Sequence, residues 1–198
     1  MRIATWNVNS LRARLPRLLA WLSAVQPDVA CLQELKCTAA EVPVAELAAA
    51  GYEIASHSTG HWNGVAILSR VGLSEVRPGL SDEPGYHAEG ALLPVAEARA
   101  VAATCAGVRV WSVYVPNGRA VGHAHYEYKL RWLAALAETV REELPRRSPF
   151  AVLGDFNIIP TDADVWDPAP FVGSTHVTER ERAALSDLRE AGLSDVYP

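Results

Sequence analysis

The sequence predicts an α/β fold of mixed β-sheets covered by helices, and three observations carry that expectation. Short apolar runs of strand length alternate with segments of helical periodicity. Several neighbouring strands are joined by links too short for a parallel crossover, so the sheets must contain antiparallel pairs. The first two strands, in contrast, flank a helix and read as a strand-helix-strand unit.

Taken in order, Ile3 to Asn7 is an apolar run that stops at an amide, and it reads as the first strand. Leu15, Leu18, Leu19, Leu22 and Val25 follow helical spacing, with Pro16 where a first turn tolerates it, which predicts a helix over 15–25. Val29 to Glu34 is the next strand. Residues 41–50 are alanine-rich and helix-prone, and Gly51 supplies the stop. Tyr52 to His57 and Val65 to Ser69 read as a strand pair joined through Gly60 and Gly64. From Pro78 to Glu97 prolines and glycines break every period, which predicts a long surface loop. Arg99 to Cys105 and Val108 to Val115 form a hairpin through Ala106-Gly107. Leu133, Leu136, Ala137, Val140 and Leu144 mark one face of a helix over 125–144. A strand ending in Asp155-Phe156-Asn157, a Pro/Asp-rich loop and a final helix opened by the capping box Thr178-Glu179-Arg180-Glu181 complete the chain.

A chain of 198 residues, 49% hydrophobic and 21% charged, is long enough for one substantial core and short for two, so a single domain over 1–198 is expected. No basic and apolar leader precedes the first strand, and no apolar stretch approaches the ~20 residues that span a bilayer. The three cysteines, Cys31, Cys37 and Cys105, lack a paired metal spacing, and a reduced cytoplasmic location is the expectation. A formal net charge of -5 argues against holding a polyanion by bulk electrostatics. For a phosphate-polymer substrate, local arginines and a bound cation must supply the attraction.

The chemistry sits where apolar runs end in oxygen donors. Asn7, Glu34, Asp155 and Asn157 close strands that come from distant parts of the chain, and strands of one sheet can bring them into one small volume. Hard carboxylate and amide oxygens suit Mg2+ or Mn2+ and not zinc. Each stop taken alone also reads as the polar residue of an ordinary turn.

At Thr5-Trp6-Asn7-Val8-Asn9-Ser10-Leu11-Arg12-Ala13-Arg14, Leu32-Gln33-Glu34-Leu35-Lys36, Val113-Tyr114-Val115-Pro116-Asn117-Gly118 and Leu153-Gly154-Asp155-Phe156-Asn157, the chain resembles the exonuclease III family of the endonuclease/exonuclease/phosphatase superfamily. Trp62-Asn63-Gly64-Val65-Ala66 and Gly192-Leu193-Ser194-Asp195-Val196 follow in the expected order. The resemblance implies a four-layer α/β sandwich of two mixed sheets. It also implies a metal-dependent DNA repair nuclease that cuts beside abasic sites, digests duplexes from 3′ ends and removes 3′-blocking groups. By position, Glu34 is the implied metal-binding carboxylate, supported by Asn7. Asp155 is implied to move a proton with the attacking water. Asn157 is implied to hold the scissile phosphate or that water, with both residues also in the implied metal set. Tyr114 is implied to contact the phosphate or an oxygen of the reaction, and strand alternation places it opposite the apolar face of Trp111, Val113 and Val115. Lys36, Asn63, Arg12, Arg14 and Arg119 are candidate phosphate-positioning residues, with a solvated surface as the alternative for the arginines. The implied cofactor is Mg2+, with Mn2+ as alternative. The implied partner is double-stranded DNA with abasic sites or 3′ ends, bound by a monomer without a membrane.

The family continues past the position matched by Pro198 through further strands and a closing Ser-Asp-His motif. Here no aspartate immediately precedes His57, His61, His87, His123, His125 or His176. The sandwich is therefore expected to be incomplete at its C-terminus, with reduced activity, unpaired strand edges and poor solubility. Two other readings remain at this point: a superfamily phosphatase acting on inositol or lipid phosphates, and a non-catalytic DNA-binding remnant.

Overall fold

The computed structural model describes residues 1–60, 62–87, 90, 92–146 and 148–196, with the backbone alone at Arg146. His61, three positions of the 78–97 loop and Pro198 thus lie outside the described residues. Two compact units emerge: Met1–Gly79, Glu97–Tyr114 and Ser148–Asp155 form the first, and Leu80–Ala96, Val115–Arg147 and Phe156–Pro198 the second.

The first unit holds every strand found among the described residues. Strands β1 (Ile3–Asn7), β2 (Val29–Gln33), β3 (Glu53–His57) and β4 (Val65–Ser69) form one sheet in the order β1-β2-β4-β3. Strands β5 (Ser74–Pro78), β6 (Ala100–Cys105), β7 (Val108–Tyr114) and β8 (Phe150–Asp155) form another in the order β5-β6-β7-β8. Each sheet joins one parallel pair, β1 with β2 or β7 with β8, to antiparallel neighbours. This is the mixed-sheet α/β fold the sequence predicts.

Helices α1 (Leu11–Val25) and α2 (Val44–Ala49) cover one face of the first sheet. Leu11, Leu18, Leu22 and Leu47 meet Ala30, Leu32, Ala66 and Leu68 there. On its other face Val29, Cys31, Val65 and Ile67 pack with Val101, Ala103, Cys105, Val110 and Tyr114 of the second sheet. Strands β2 and β4 are buried at every position because both faces are covered, which is why they read as unbroken apolar runs. Across the inter-sheet core, Gln33 Nε2 donates to Ser112 Oγ at 3.2 Å and Ser112 Oγ donates to the Leu32 carbonyl at 3.2 Å. All three cysteines are free and buried.

The second unit contains α3 (Ala124–Glu143) and α4 (Glu179–Glu190), which pack on one another. The capping box at α4 forms as expected, with Thr178 Oγ1 accepting from Glu181 N. No helix among the described residues is long and apolar enough to cross a membrane.

Two sequence expectations need correction. The first helix starts at Leu11 and not near 15, because Ser10 caps it by accepting from Ala13 N. Pro16 therefore lies inside the helix, tolerated because it faces solvent, where water can satisfy the carbonyl that its missing N–H leaves free. A strand was also missed: β5 is exposed along most of its length, so no alternation marks it.

Candidate active site

Three strand ends of the first unit bring Asn7, Glu34 and Asp155 together. Asn7 closes β1, Glu34 follows β2 with a left-handed φ of 56°, and Asp155 closes β8. The Asn7 side-chain nitrogen donates to Glu34 Oε1 at 2.9 Å and to Asp155 Oδ2 at 2.8 Å, the latter across 148 positions of sequence. The Asn9 backbone N–H donates to Asn7 Oδ1 at 3.0 Å. That bond fixes the amide, so Asn7 turns its nitrogen toward both carboxylates.

Glu34 receives two further donors besides Asn7. Tyr114 Oη donates to its Oε1 at 3.0 Å, and Lys36 Nζ lies 2.8 Å from its Oε2. Burial alone raises the Glu34 pKa, but the hydrogen bonds from Asn7, Lys36 and Tyr114 outweigh it and hold the carboxyl below its ordinary value. Glu34 is therefore an anion at neutral pH. The Tyr114 phenol moves the other way, raised by burial and then by the neighbouring charge of Glu34, so it stays protonated and is a hydrogen-bond donor.

Tyr114 differs from the expectation in one respect. It lies on the face of β7 opposite Trp111 and Val113, as alternation places it, but that face packs in the inter-sheet core, so β7 is buried on both sides and has no polar side. Its ring lies 4.9 Å from the guanidinium of Arg99, a nearly buried cation that also donates to the Tyr114 carbonyl at 3.2 Å and to Glu97 at 2.6 Å. Sequence reasoning missed Arg99, although an arginine at the head of an apolar strand was the available signal.

Lys36 also donates to Asn9 Oδ1 at 2.6 Å and lies 5.6 Å from the ring of the exposed Trp62. The strand stops at Gln33, so Lys36 reaches Glu34 through a left-handed turn, φ 50°, and not along an extended face. Asn63 is buried, its carbonyl accepts from Lys36 N at 3.0 Å, and its Oδ1 has no hydrogen-bond partner among the described residues. Arg12 is outside this network; its guanidinium pairs with Glu41 at 3.0 Å on the surface.

Asn157 and Arg119 belong to the second unit. Asn157, φ 50°, donates from Nδ2 to the Val115 carbonyl at 2.9 Å, and its Oδ1 accepts from Asn117 Nδ2 at 3.4 Å. Asn117 Nδ2 also meets His176 Nε2 at 3.1 Å, and the Asn157 carbonyl accepts from Lys129 Nζ at 2.6 Å. Arg119 stacks 5.5 Å from the Tyr86 ring. No site role was assigned from sequence to Asn117, Lys129, His176 or Glu181, although Asn117 lies in a matching motif and Glu181 closes the capping box. A lysine four positions before Leu133, on the apolar stripe of α3, was a further legible sign.

No group of three or more histidines, cysteines, aspartates or glutamates among the described residues is placed to hold a metal. The donor set of the first unit is thus two carboxylates, Glu34 and Asp155. That fits a magnesium-type ion, which keeps several waters and binds through one or two carboxylates plus substrate phosphate. It does not fit a structural zinc site.

The chain is 28% identical to an exodeoxyribonuclease of Bacillus subtilis (strain 168) over all of its own length and 76% of that protein. Among solved structures, a 3′-5′ exonuclease (NExo) from Neisseria meningitidis is 40% identical, with a TM-score of 0.89 over 98% of this chain and 73% of that one. An AP endonuclease from Archaeoglobus fulgidus is 33% identical, with a TM-score of 0.88 over 98% of this chain and 72% of that one. Residues 4–194 match the endonuclease/exonuclease/phosphatase family, and the chain belongs to that family.

Proposed function

We propose that this chain is a divalent-metal-dependent DNA repair nuclease of exonuclease III type, hydrolysing phosphodiester bonds beside abasic sites and at 3′ ends of duplex DNA. The observation that carries the reading is the single Asn7 amide shared by two carboxylates from opposite ends of the chain, with the Tyr114 hydroxyl on one of them. A network that spans 148 positions to hold two like charges together has little value for folding and much for catalysis.

In this reading Glu34, an anion in the free chain, would hold Mg2+ or Mn2+ together with Asp155. Such an ion supplies charge stabilisation at the phosphate and the departing oxygen. Asp155 accepts the proton of the attacking water. Tyr114, whose phenolic hydrogen rests on Glu34 in the free chain, would turn it to a phosphate oxygen as negative charge builds there. Asn7 separates and orients the two carboxylates. Asn157 holds the scissile phosphate or the water, while Lys36, Asn63, Arg12 and Arg119 position neighbouring phosphates without reading sequence. Flipping the abasic sugar out of the stack provides selectivity. The cytoplasm and a monomeric state complete the proposal.

The test is incision of a labelled duplex carrying one abasic site, with and without magnesium, beside inositol phosphates as competing substrates. Magnesium-dependent cutting of the duplex supports the proposal. Phosphate release from the inositol substrates alone, or duplex binding without cutting, would replace it.

A further inference from the structure

The second unit buries an ion pair where stability alone gives little reason for one. The side chains of Lys129 and Glu181 are both fully buried, with Nζ and Oε1 2.5 Å apart. Lys129 Nζ also donates to the Asn157 carbonyl at 2.6 Å and to the Asn117 carbonyl at 3.4 Å. Glu181 Oε1 accepts from Thr175 Oγ1 at 2.6 Å and from His176 N at 2.9 Å. Its Oε2 accepts from Thr178 N at 3.1 Å and Thr178 Oγ1 at 2.7 Å. Two helices, the loops after β7 and β8, and the turn before α4 all meet at this pair.

We infer that Lys129 and Glu181 are positioning residues that fix the side-chain amides of Asn117 and Asn157. A buried pair is commonly replaceable by apolar residues without loss of stability, but no apolar pair can hold two loop carbonyls. The carbonyls gripped here are those of the two asparagines. Asn157 occupies the left-handed region, φ 50°, a conformation that needs local support. Glu181 in turn sets the turn at Thr175-His176. His176 Nδ1 engages the Thr175 carbonyl at 2.8 Å, which leaves Nε2 as the acceptor facing Asn117 Nδ2 at 3.1 Å. Asn117 Oδ1 accepts from Arg119 N at 3.1 Å, so the Asn117 amide is held at both ends. Thr175 Oγ1 would lie 2.6 Å from a Cβ at Gly118, so the loop after β7 rests directly on this turn. A network that controls the orientation of two amides, and not merely their presence, is what a phosphate-binding pair requires. The catalytic consequence rests on the role proposed above for Asn157.

The test uses Lys129→Met/Glu181→Leu, which removes both charges together and leaves neither buried alone. The expected result is a cooperative melt, displaced side-chain amide resonances of Asn117 and Asn157, and a fall in kcat on abasic duplex of about 10- to 100-fold with KM within about twofold. A folded double variant with both amide resonances and kcat unchanged would overturn the inference. If the double variant does not melt cooperatively, Thr175→Val decides by the same readouts: a displaced Asn117 amide and lower kcat support positioning, and unchanged values refute it. The amide resonances do not depend on turnover. A native chain that leaves abasic DNA uncut therefore refutes the proposed nuclease reading alone.

Discussion

Substituting Glu181→Gln keeps the shape of the side chain and removes its charge, leaving Lys129 buried without its counter-ion. Burial pushes the Glu181 carboxyl up, but hydrogen bonds from Lys129, Thr175, the His176 amide and Thr178 overcome it, and the pKa falls from 4.5 to about 2. At about 1.36 kcal/mol per pKa unit, that difference links the charged form to about 3 kcal/mol of folding stability at neutral pH. Orphaning a buried partner costs about 3–5 kcal/mol, a comparable size from an independent route. The folded carboxyl binds its proton less readily than the unfolded one. This stability is therefore complete above pH 4.5 and declines as the pH falls toward about 2. Urea unfolding from pH 7 to pH 3 should show the wild-type chain losing stability over that range. Glu181→Gln should be weaker by about 3 kcal/mol at pH 7 and lose distinctly less stability over the same acid range, the slope that remains belonging to the other carboxyls held below their ordinary values, Glu34 among them. A variant within about 1 kcal/mol of wild type at pH 7, or with the same acid slope, would refute the assignment of this linkage to Glu181.

Three further outcomes follow from the first unit. Tyr114→Phe removes the hydroxyl on Glu34 and should lower kcat about 10²- to 10³-fold with little change in melting temperature, measured on abasic duplex. Lys36→Met should raise KM and reduce the salt dependence of duplex binding by about one unit of log–log slope, read by binding titrations at several salt concentrations. Gly154→Ala would place a Cβ 1.9 Å from the Val113 carbonyl on the neighbouring strand. Its expected cost, more than about 3 kcal/mol in denaturant unfolding, exceeds that of ordinary substitutions because backbone and not a side chain must move.

What the sequence made legible follows from covering. Strands β2 and β4 are enclosed on both faces, so their apolar runs stand out, and the oxygen donors that end β1 and β8 and follow β2 stand out against them. Asn7, Glu34 and Asp155 were legible for that reason. Strand β5 is an exposed edge, and solvent imposes no pattern on it. Tyr114 was assigned the wrong surroundings because alternation separates polar from apolar only when one face is wet, and neither face of β7 is. Lys129 and Glu181 escaped notice for a different reason. A lysine on a helix reads as solvated, and the capping-box role of Glu181 at α4 already accounted for its presence. Lys129 donates to loop carbonyls and Glu181 accepts from backbone N–H groups of the turn before α4, and backbone groups carry no sequence signal. The orientation of the Asn7 amide was likewise invisible, since only the Asn9 N–H decides which end faces the carboxylates.

The carboxylates gathered by Asn7 are proposed to form a working metal-dependent nuclease site. The direct measurement is incision of a duplex with one abasic site by the purified chain, with and without magnesium, beside Asp155→Ala. The expected result is cutting that requires magnesium and falls by at least about 10²-fold in the variant. A folded chain that leaves the duplex intact, or one whose cutting survives Asp155→Ala, would contradict the account.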